Sequence, residues 1–294
     1  RPFFLEGTDI FQFGKTRAFR AGSPSIFYSR RIGRSPRGSI TDNSEYEDYP
    51  SQTKIISALK FSGKTNNGLS IGILDAITAE ENAKYRDSTK TESAQAIEPF
   101  ANSLVLRLKQ DLNDGKIIFG GFFTNKHQKL DTDYLQSTFL SKANVVGADF
   151  EYALPDPAWI VSGYTATSTL LGNEEIISEI QRNSAHYFQR PDDDIKLDTT
   201  KIQLDGTSSE ISLTKISGKN IKGSLTYRQI SPGYDINELG YLRSANTKQL
   251  KSYIEYEDFV PKKYWQLLSF SFGSWHDRDY QWKNGSHGLW ADFW

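Results

Sequence analysis

Cysteine and methionine are both absent from this sequence of 294 residues. Without cysteine the chain can form no disulfide bond and offers no thiolate ligand or nucleophile. Its 4 histidines lack the spacing of metal ligands, so we expect no metal site, no cofactor and no catalytic residue. Neither charge sign is in excess, with 35 basic and 36 acidic side chains, which argues against a nucleic-acid partner.

Long hydrophobic runs are also missing. No stretch of about 18 consecutive apolar residues occurs, so the sequence predicts no transmembrane helix. A membrane protein is not thereby excluded, because the strands of a β-barrel keep one polar face and give weak hydropathy signals. Aromatic residues are abundant, with 18 Phe, 15 Tyr and 6 Trp, and this suits both a membrane barrel and a carbohydrate-binding sandwich.

An alternation of apolar and polar residues runs through most of the chain. In residues 103–125, for example, Leu104 and Leu106 share one parity, and Val105 and Arg107 share the other. About a dozen such segments occur, and several exceed the roughly 5–6 residues of globular strands. We therefore predict an all-β protein, a transmembrane antiparallel up-and-down β-barrel that is part of a larger barrel. A soluble sandwich or propeller has the same period and remains the alternative.

The polar parity mixes charged residues with Gly and Ser, a mixture that a wet lumen accepts. We expect this parity to face the lumen, and we expect Phe150, Leu225 and Phe270 on the other parity to face lipid. Aromatic residues near strand ends are expected at the level of the lipid headgroups. The lumen candidates are Lys60, Arg107, Asp149, Glu151, Lys222 and Arg228, and the strand-end aromatics are Tyr152, Trp159, Tyr256, Tyr264, Trp265 and Trp275.

The first 53 residues differ from the strands of 54–294. This N-terminal segment is rich in Gly, Pro, Ser and Arg, yet its aromatic content argues against a disordered tail. We expect it to plug the lumen or to pack on the periplasmic side. The aromatic residues in question are Phe3, Phe4, Phe11 and Phe13.

Within 54–294, the polar stretch 82–102 predicts a long loop, and 173–183 predicts a helix capped by Asn173. The ending GLWADFW resembles a strand that is cut short, so we expect the barrel to be incomplete at the C-terminus. A terminal aromatic residue is also typical of the last strand of a complete barrel. Short strands are predicted at 184–190, 200–205 and 209–217.

Four arginines form the most distinctive basic cluster. An arginine fork binds carboxylate or phosphate through two hydrogen bonds. The cluster therefore has two interpretations: it pairs with lumen carboxylates and holds the plug, which we favour, or it binds lipopolysaccharide phosphates or an anionic substrate. The residues are Arg30, Arg31, Arg34 and Arg37.

Asp149 and Glu151 lie two residues apart on one strand face, which places their carboxylates roughly 6–7 Å apart. Such a spacing suits glycoside hydrolysis. Paired charges in a hydrated lumen are the better interpretation, because no second feature of the sequence supports catalysis.

Five stretches resemble one family: RPFFLEG (1–7), FYSRRIGR (27–34), LKFSGKTNNGLSIGILDAITAEE (59–81), HYFQRPD (186–192) and SPGYDINELGY (231–241). That family is the bacterial domain of unknown function 5916. The resemblance implies an outer-membrane β-barrel of a Gram-negative bacterium, in a family whose members commonly carry a preceding carbohydrate-binding module similar to family 9. It implies transport or an envelope scaffold linked to glycan handling, with outer-membrane lipid, lipopolysaccharide or glycan and other envelope proteins as partners. A carbohydrate-active enzyme or glycan-binding β domain is the alternative.

Overall fold

The structure is a computed structural model. It describes residues 8–16, 18, 24–156, 158–192, 194–218, 220–283 and 285–294. The expected packing of Phe3 and Phe4, and the stretch RPFFLEG, lie outside these residues. In the part of the chain that the structure describes, no helix is both long enough and apolar enough to cross a membrane.

Antiparallel β-strands dominate the fold, which confirms the predicted all-β class. Eleven strands form one large sheet in the order β14-β13-β12-β11-β10-β9-β8-β7-β6-β3-β2. Those strands are β2 (Ile55–Lys64), β3 (Leu69–Thr78), β6 (Ala101–Leu112), β7 (Ile117–Gln128), β8 (Lys142–Ala153), β9 (Trp159–Leu171), β10 (Gln203–Lys215), β11 (Ile221–Ile230), β12 (Thr247–Asp258), β13 (Leu268–Arg278) and β14 (Gly285–Phe293).

The remaining elements are small. A second sheet has three strands, β1 (Tyr46–Asp48), β4 (Glu81–Arg86) and β5 (Glu92–Glu98). Two helices, α1 (Asp133–Thr138) and α2 (Glu174–Arg182), lie in connections between strands. Two short 3₁₀ turns, Thr8–Phe11 and Ser29–Arg31, belong to the N-terminal segment.

The large sheet is an up-and-down meander whose two ends differ. At one end, called here the tight-turn end, short connections such as 113–116 and 216–220 join the strands. Asn113, Asp114 and Gly115 all have positive φ, which these residue types adopt most readily. The other end, called the long-connection end, carries the small sheet, both helices and the segment 231–246.

The large sheet is open. β2 pairs only with β3, and β14 pairs only with β13. Among the residues described, therefore, no strand joins the two edges into a closed barrel.

The two faces of the sheet have opposite chemistry. The outer face is defined by Leu106, Phe150 and Leu225, and the inner face by Arg107, Asp149 and Arg228; alternation along β6, β8 and β11 separates them. The structure thus places Phe150, Leu225 and Phe270 on the side exposed to the surroundings.

The inner face is covered by the chain itself. Phe13 of the N-terminal segment packs against Phe122 and Tyr164, with ring centroids 5.6 and 5.5 Å away. Gly147 makes room for this contact, because a Cβ there would lie 2.5 Å from the Phe13 ring. The segment 231–246 adds Tyr234 and its neighbours to the same apolar cluster.

Several local predictions are corrected by the structure. The expected loop 82–102 contains β4 and β5, joined by a turn in which Asp87 Oδ1 accepts hydrogen bonds from the N–H groups of Thr89 and Thr91. The expected strand 184–190 is irregular: instead of pairing with a strand, its Phe188 packs with α2, Leu170 and Leu204 in a second apolar cluster. The strands predicted at 200–205 and 209–217 are one strand, β10.

Two further side chains lie on the face opposite to the expected one. Ile55 has the sequence parity of the exposed residues Leu59 and Phe61, which predicts the outer face, but a register shift in β2 turns it inward against the apolar cluster of Phe13 and Tyr234. Trp275 shares the inner parity of Ser271, and its ring fills the space above Gly288. The helix predicted at 173–183 is confirmed as α2, with Asn173 Oδ1 accepting a hydrogen bond from Ile176 N at 3.0 Å.

Candidate functional site

An ion pair at the centre of the inner face contacts the N-terminal segment. The guanidinium of Arg107 donates to both carboxylate oxygens of Asp149, at 2.7 and 2.8 Å. The pair spans β7 from β6 to β8, and Gly120 leaves the necessary space, since a Cβ there would lie 2.7 Å from Arg107 Nη1. The main-chain N–H of Gly14 donates to the same carboxylate at 2.9 Å. We call these three residues the latch.

The side chains of the latch are largely buried. The Arg107 side chain is only 2% exposed, and its guanidinium carbon lies 5.7 Å from the centre of the Phe13 ring. Because Asp149 is engaged by Arg107 and Gly14, it is not free to act with Glu151 as a glycosidase pair. The geometry favours a structural role for this carboxylate.

The other lumen candidates also lie on the inner face. Arg228 pairs with Glu210 at 2.5 Å, and Lys222 pairs with Glu257 at 2.6 Å. Lys60 lies 5.8 Å from the centre of the Phe11 ring, and Glu151 is buried. A cavity of about 400 Å³ separates part of the N-terminal segment from the sheet, and charged residues of both signs line it: Asp9, Lys15, Arg107, Lys109, Asp149 and Glu151.

The arginine cluster is divided by the structure. Arg37 and Arg34 converge on Glu238, at 2.6 and 3.8 Å. Arg31 Nε donates to the main-chain oxygen of Gly240 at 2.9 Å, whereas the Arg30 side chain is exposed.

Two further residues, which the sequence analysis did not single out, join the arginines around Glu238. Lys126, on the inner face of β7, donates to Glu238 at 2.8 Å. Glu98, at the end of β5, accepts from the main-chain N–H of Arg37 at 3.0 Å. We call the set Arg34, Arg37, Glu98, Lys126 and Glu238 the charge cluster.

Glu238 is the centre of the charge cluster. Burial alone would raise the pKa of its carboxyl, but Arg37, Lys126 and Arg34 hold that pKa well below its usual range. Burial, followed by the repulsion from Arg37, lowers the pKa of Arg34 to about 10. The carboxylate therefore stabilises the fold as long as it is ionised.

Acid should weaken the charge cluster. Because the folded-state pKa of Glu238 is depressed, its contribution is present above the unfolded pKa and is lost as pH falls through the folded pKa. Glu238→Gln should remove about 3–5 kcal/mol of unfolding free energy at neutral pH, since three cations lose their partner, and should flatten the acid limb. Thermal unfolding of both proteins from neutral pH downward measures this. Glu92→Gln is the control, because that carboxylate pairs with Arg86 in solvent; equal losses in the two variants would contradict the prediction.

Two of the five family-like stretches meet at a buried histidine. His186 Nε2 lies 2.9 Å from Asp235 Oδ2, and His186 Nδ1 lies 2.7 Å from the main-chain oxygen of Pro232. Its side chain has no exposed surface, so the ring joins 186–192 to 231–241 and reaches no solute. Within the described ranges, no group of three metal-ligating side chains is assembled.

Comparison with known proteins gives one family and two structures. The model of a family described as "Domain of unknown function (DUF5916)" matches residues 1–288. The outer membrane channel DcaP of Acinetobacter baumannii is similar in structure, with a TM-score of 0.39 and 12% identity over 96% of this chain and 78% of that chain. BamA from Haemophilus ducreyi lacking POTRA domains 1-3 has a TM-score of 0.31 and 9% identity over 87% and 48% of the two chains. No curated protein matches the chain.

Proposed function

The chain belongs to the DUF5916 family, and we propose that it forms a β-barrel of the bacterial outer membrane that acts in transport, with its N-terminal segment as a plug. The observation that carries this proposal is the uncovered apolar outer face. The proposal includes the lipid contact, the plug and the solute path along the inner face.

The outer face is apolar from one edge of the sheet to the other. Leu59 on β2 is 68% exposed, Phe150 on β8 is 42% exposed, and Leu289 on β14 is 67% exposed. Soluble proteins rarely leave a contiguous apolar surface of this extent in water. Contact with lipid acyl chains would remove this apolar surface from water. The soluble alternative instead needs a second layer of protein over the outer face, which the described residues do not supply.

Polar and aromatic residues border this apolar surface. Towards the long-connection end, Asn102 donates to Asp75 at 2.7 Å, and Asn125 donates to Asn144 at 2.5 Å. Towards the tight-turn end, the outer face carries Tyr152, Trp159 and Tyr256. Both kinds of border suit the headgroup level of a bilayer, because their polar atoms stay hydrated there.

Membrane association is the first test of the proposal. We expect the purified chain to float with lipid vesicles and to need detergent in their absence, because its outer face is apolar. A protein that remains monodisperse in aqueous buffer without detergent would contradict the barrel and favour the soluble carbohydrate-active or glycan-binding alternative.

The plug can be tested at its closest contact with the sheet. Gly147→Val should push the Phe13 ring away, because even a Cβ at this position lies 2.5 Å from that ring. We expect faster proteolysis within 8–16 and a several-fold higher single-channel conductance in planar bilayers. Gly121→Val is the matched control, since a Cβ there meets nothing closer than 4.0 Å and points to the outer face. Equal behaviour of the two variants would count against the plug.

A link to glycans is part of the proposal and rests on the resemblance to the family. Cargo or partners would then be envelope sugars, and binding of soluble oligosaccharides to the purified protein tests this part independently of membrane insertion.

A further inference from the structure

Arg34 has an open hydrogen-bonding edge inside the protein. Its Nε and Nη2 atoms are buried and donate to no group among the residues described. The nearest carboxylate oxygen, Oε2 of Glu238, is 3.8 Å from Nη2, too far for a hydrogen bond. Nε and Nη2 form the side of a guanidinium that binds two oxygens of one carboxylate or phosphate.

The surroundings of Arg34 carry excess positive charge. Its neighbours include the cations Arg31, Arg37 and Lys126 and the carboxylates Glu98 and Glu238. Four cations therefore face two carboxylates, which leaves an excess of two positive charges. Glu238 already accepts from Arg37 at 2.6 Å and from Lys126 at 2.8 Å, so its oxygens are engaged elsewhere.

The position of Arg34 is fixed by its main chain. The carbonyl oxygen of Arg34 accepts from the N–H of Thr53 at 2.9 Å and from its hydroxyl at 2.8 Å. The side chain as a whole is 19% exposed, although its Nε and Nη2 atoms are themselves buried. Lys126 and Gln128 place the site on the inner-face side, at the long-connection end of β7.

We propose that the Nε–Nη2 edge of Arg34 binds a single anionic group, the phosphate or carboxylate of a solute at the mouth of the inner face. This inference deepens the proposed transport function by naming its solute class, anions. It stands on the unpartnered edge, the unbalanced charge and the fixed main chain, which are three separate observations. Because the site lies behind the sheet as seen from the outer face, a free solute reaches it more directly than the headgroup of a bilayer lipid does.

The test is a titration of the full chain in detergent micelles with inorganic phosphate, and separately with acetate, followed by calorimetry. We expect saturable one-to-one binding and a rise in the thermal midpoint of the unmodified protein with phosphate. Arg34→Gln should weaken binding about tenfold or more, through the loss of a two-point charge-assisted contact. Arg34→Lys keeps the positive charge but not the two-point contact, so its phosphate affinity should lie between those of Arg34→Gln and the unmodified protein. Arg30→Gln is the control, because that side chain is exposed, and it should bind like the unmodified protein.

Three outcomes decide the matter. Absence of saturable phosphate and acetate binding by the folded, unmodified protein would overturn the site. Equal losses in Arg34→Gln and Arg30→Gln would also overturn it, because they would reflect general charge. Vesicles containing lipopolysaccharide that displace phosphate, and do so only when Arg34 is present, would support the site and identify the lipid as the source of the anion. If the protein does not float with vesicles, the membrane proposal is contradicted, whereas the phosphate titration still tests the anion site on its own.

Discussion

Asp149→Ala should lower the free energy of unfolding by about 3–5 kcal/mol, because it leaves the charge of the buried Arg107 side chain without its carboxylate partner. The Arg107 side chain is 2% exposed, and both of its terminal nitrogens donate to Asp149. The variant also removes the acceptor of the Gly14 N–H. The N-terminal segment should therefore loosen together with the sheet.

Urea unfolding in detergent micelles, followed by tryptophan fluorescence, measures this effect. The double variant Arg107→Leu with Asp149→Leu should recover much of the loss, since no buried charge remains unpaired. Asp205→Ala is the control on an exposed position of β10, and it should change stability by less than about 0.5 kcal/mol. A loss below about 1 kcal/mol in Asp149→Ala would show that the pair is hydrated and that the latch is not closed.

Phe150→Arg should prevent assembly in bilayers, at a cost of up to about 2–4 kcal/mol, the value for an arginine at the midplane. Phe150 is 42% exposed on the outer face, and its ring lies over Gly163 of the neighbouring strand, where a Cβ would lie 3.0 Å from a ring carbon. In water the same substitution would remove an exposed aromatic ring and add a charge, which stabilises or changes little. The direction of the effect therefore distinguishes lipid from water.

A second arginine placed in the polar border makes the experiment specific. Thr169→Arg lies on the outer face opposite Asn144, in the border towards the long-connection end, where an arginine costs about 0–1 kcal/mol. Folding into vesicles can be followed for both variants by protease protection. Normal assembly of Phe150→Arg, or equal failure of both variants, would contradict the assignment of the outer face to lipid.

Alternation predicted the faces of the sheet because the period of a strand is two, so one buried residue fixes the side of all the others. The same rule failed at Ile55, where a register shift reverses the parity. The prediction of a loop at 82–102 was also wrong, because it rested on polar composition, and a solvated hairpin is polar too. A bulge or a solvated hairpin depends on the partner strand, so the local sequence alone does not predict either feature.

For the candidate site, the sequence predicted which face the residues lie on but not which residues pair. Arg107 and Asp149 were recognised as inner-face residues by their parity, but their pairing joins positions 42 residues apart. Lys126 and Glu238 are 112 residues apart, and Arg37 and Glu238 are 201 residues apart. No local spacing in the sequence connects such residues, so the charge cluster could be identified only from the folded structure. The stretch SPGYDINELGY already contained Glu238, and its density of turn and acidic residues was the available signal.

Both margins of the large sheet, β2 and β14, carry backbone N–H and C=O groups that no neighbouring strand satisfies within the described part of the chain. Hydrocarbon offers these groups no substitute for water, and each one left bare costs several kcal/mol. Entry into a bilayer would therefore have to coincide with the pairing of both margins, either with each other or with further strands. Any factor that keeps these edge strands unpaired would keep the protein out of the membrane, however apolar its outer face is.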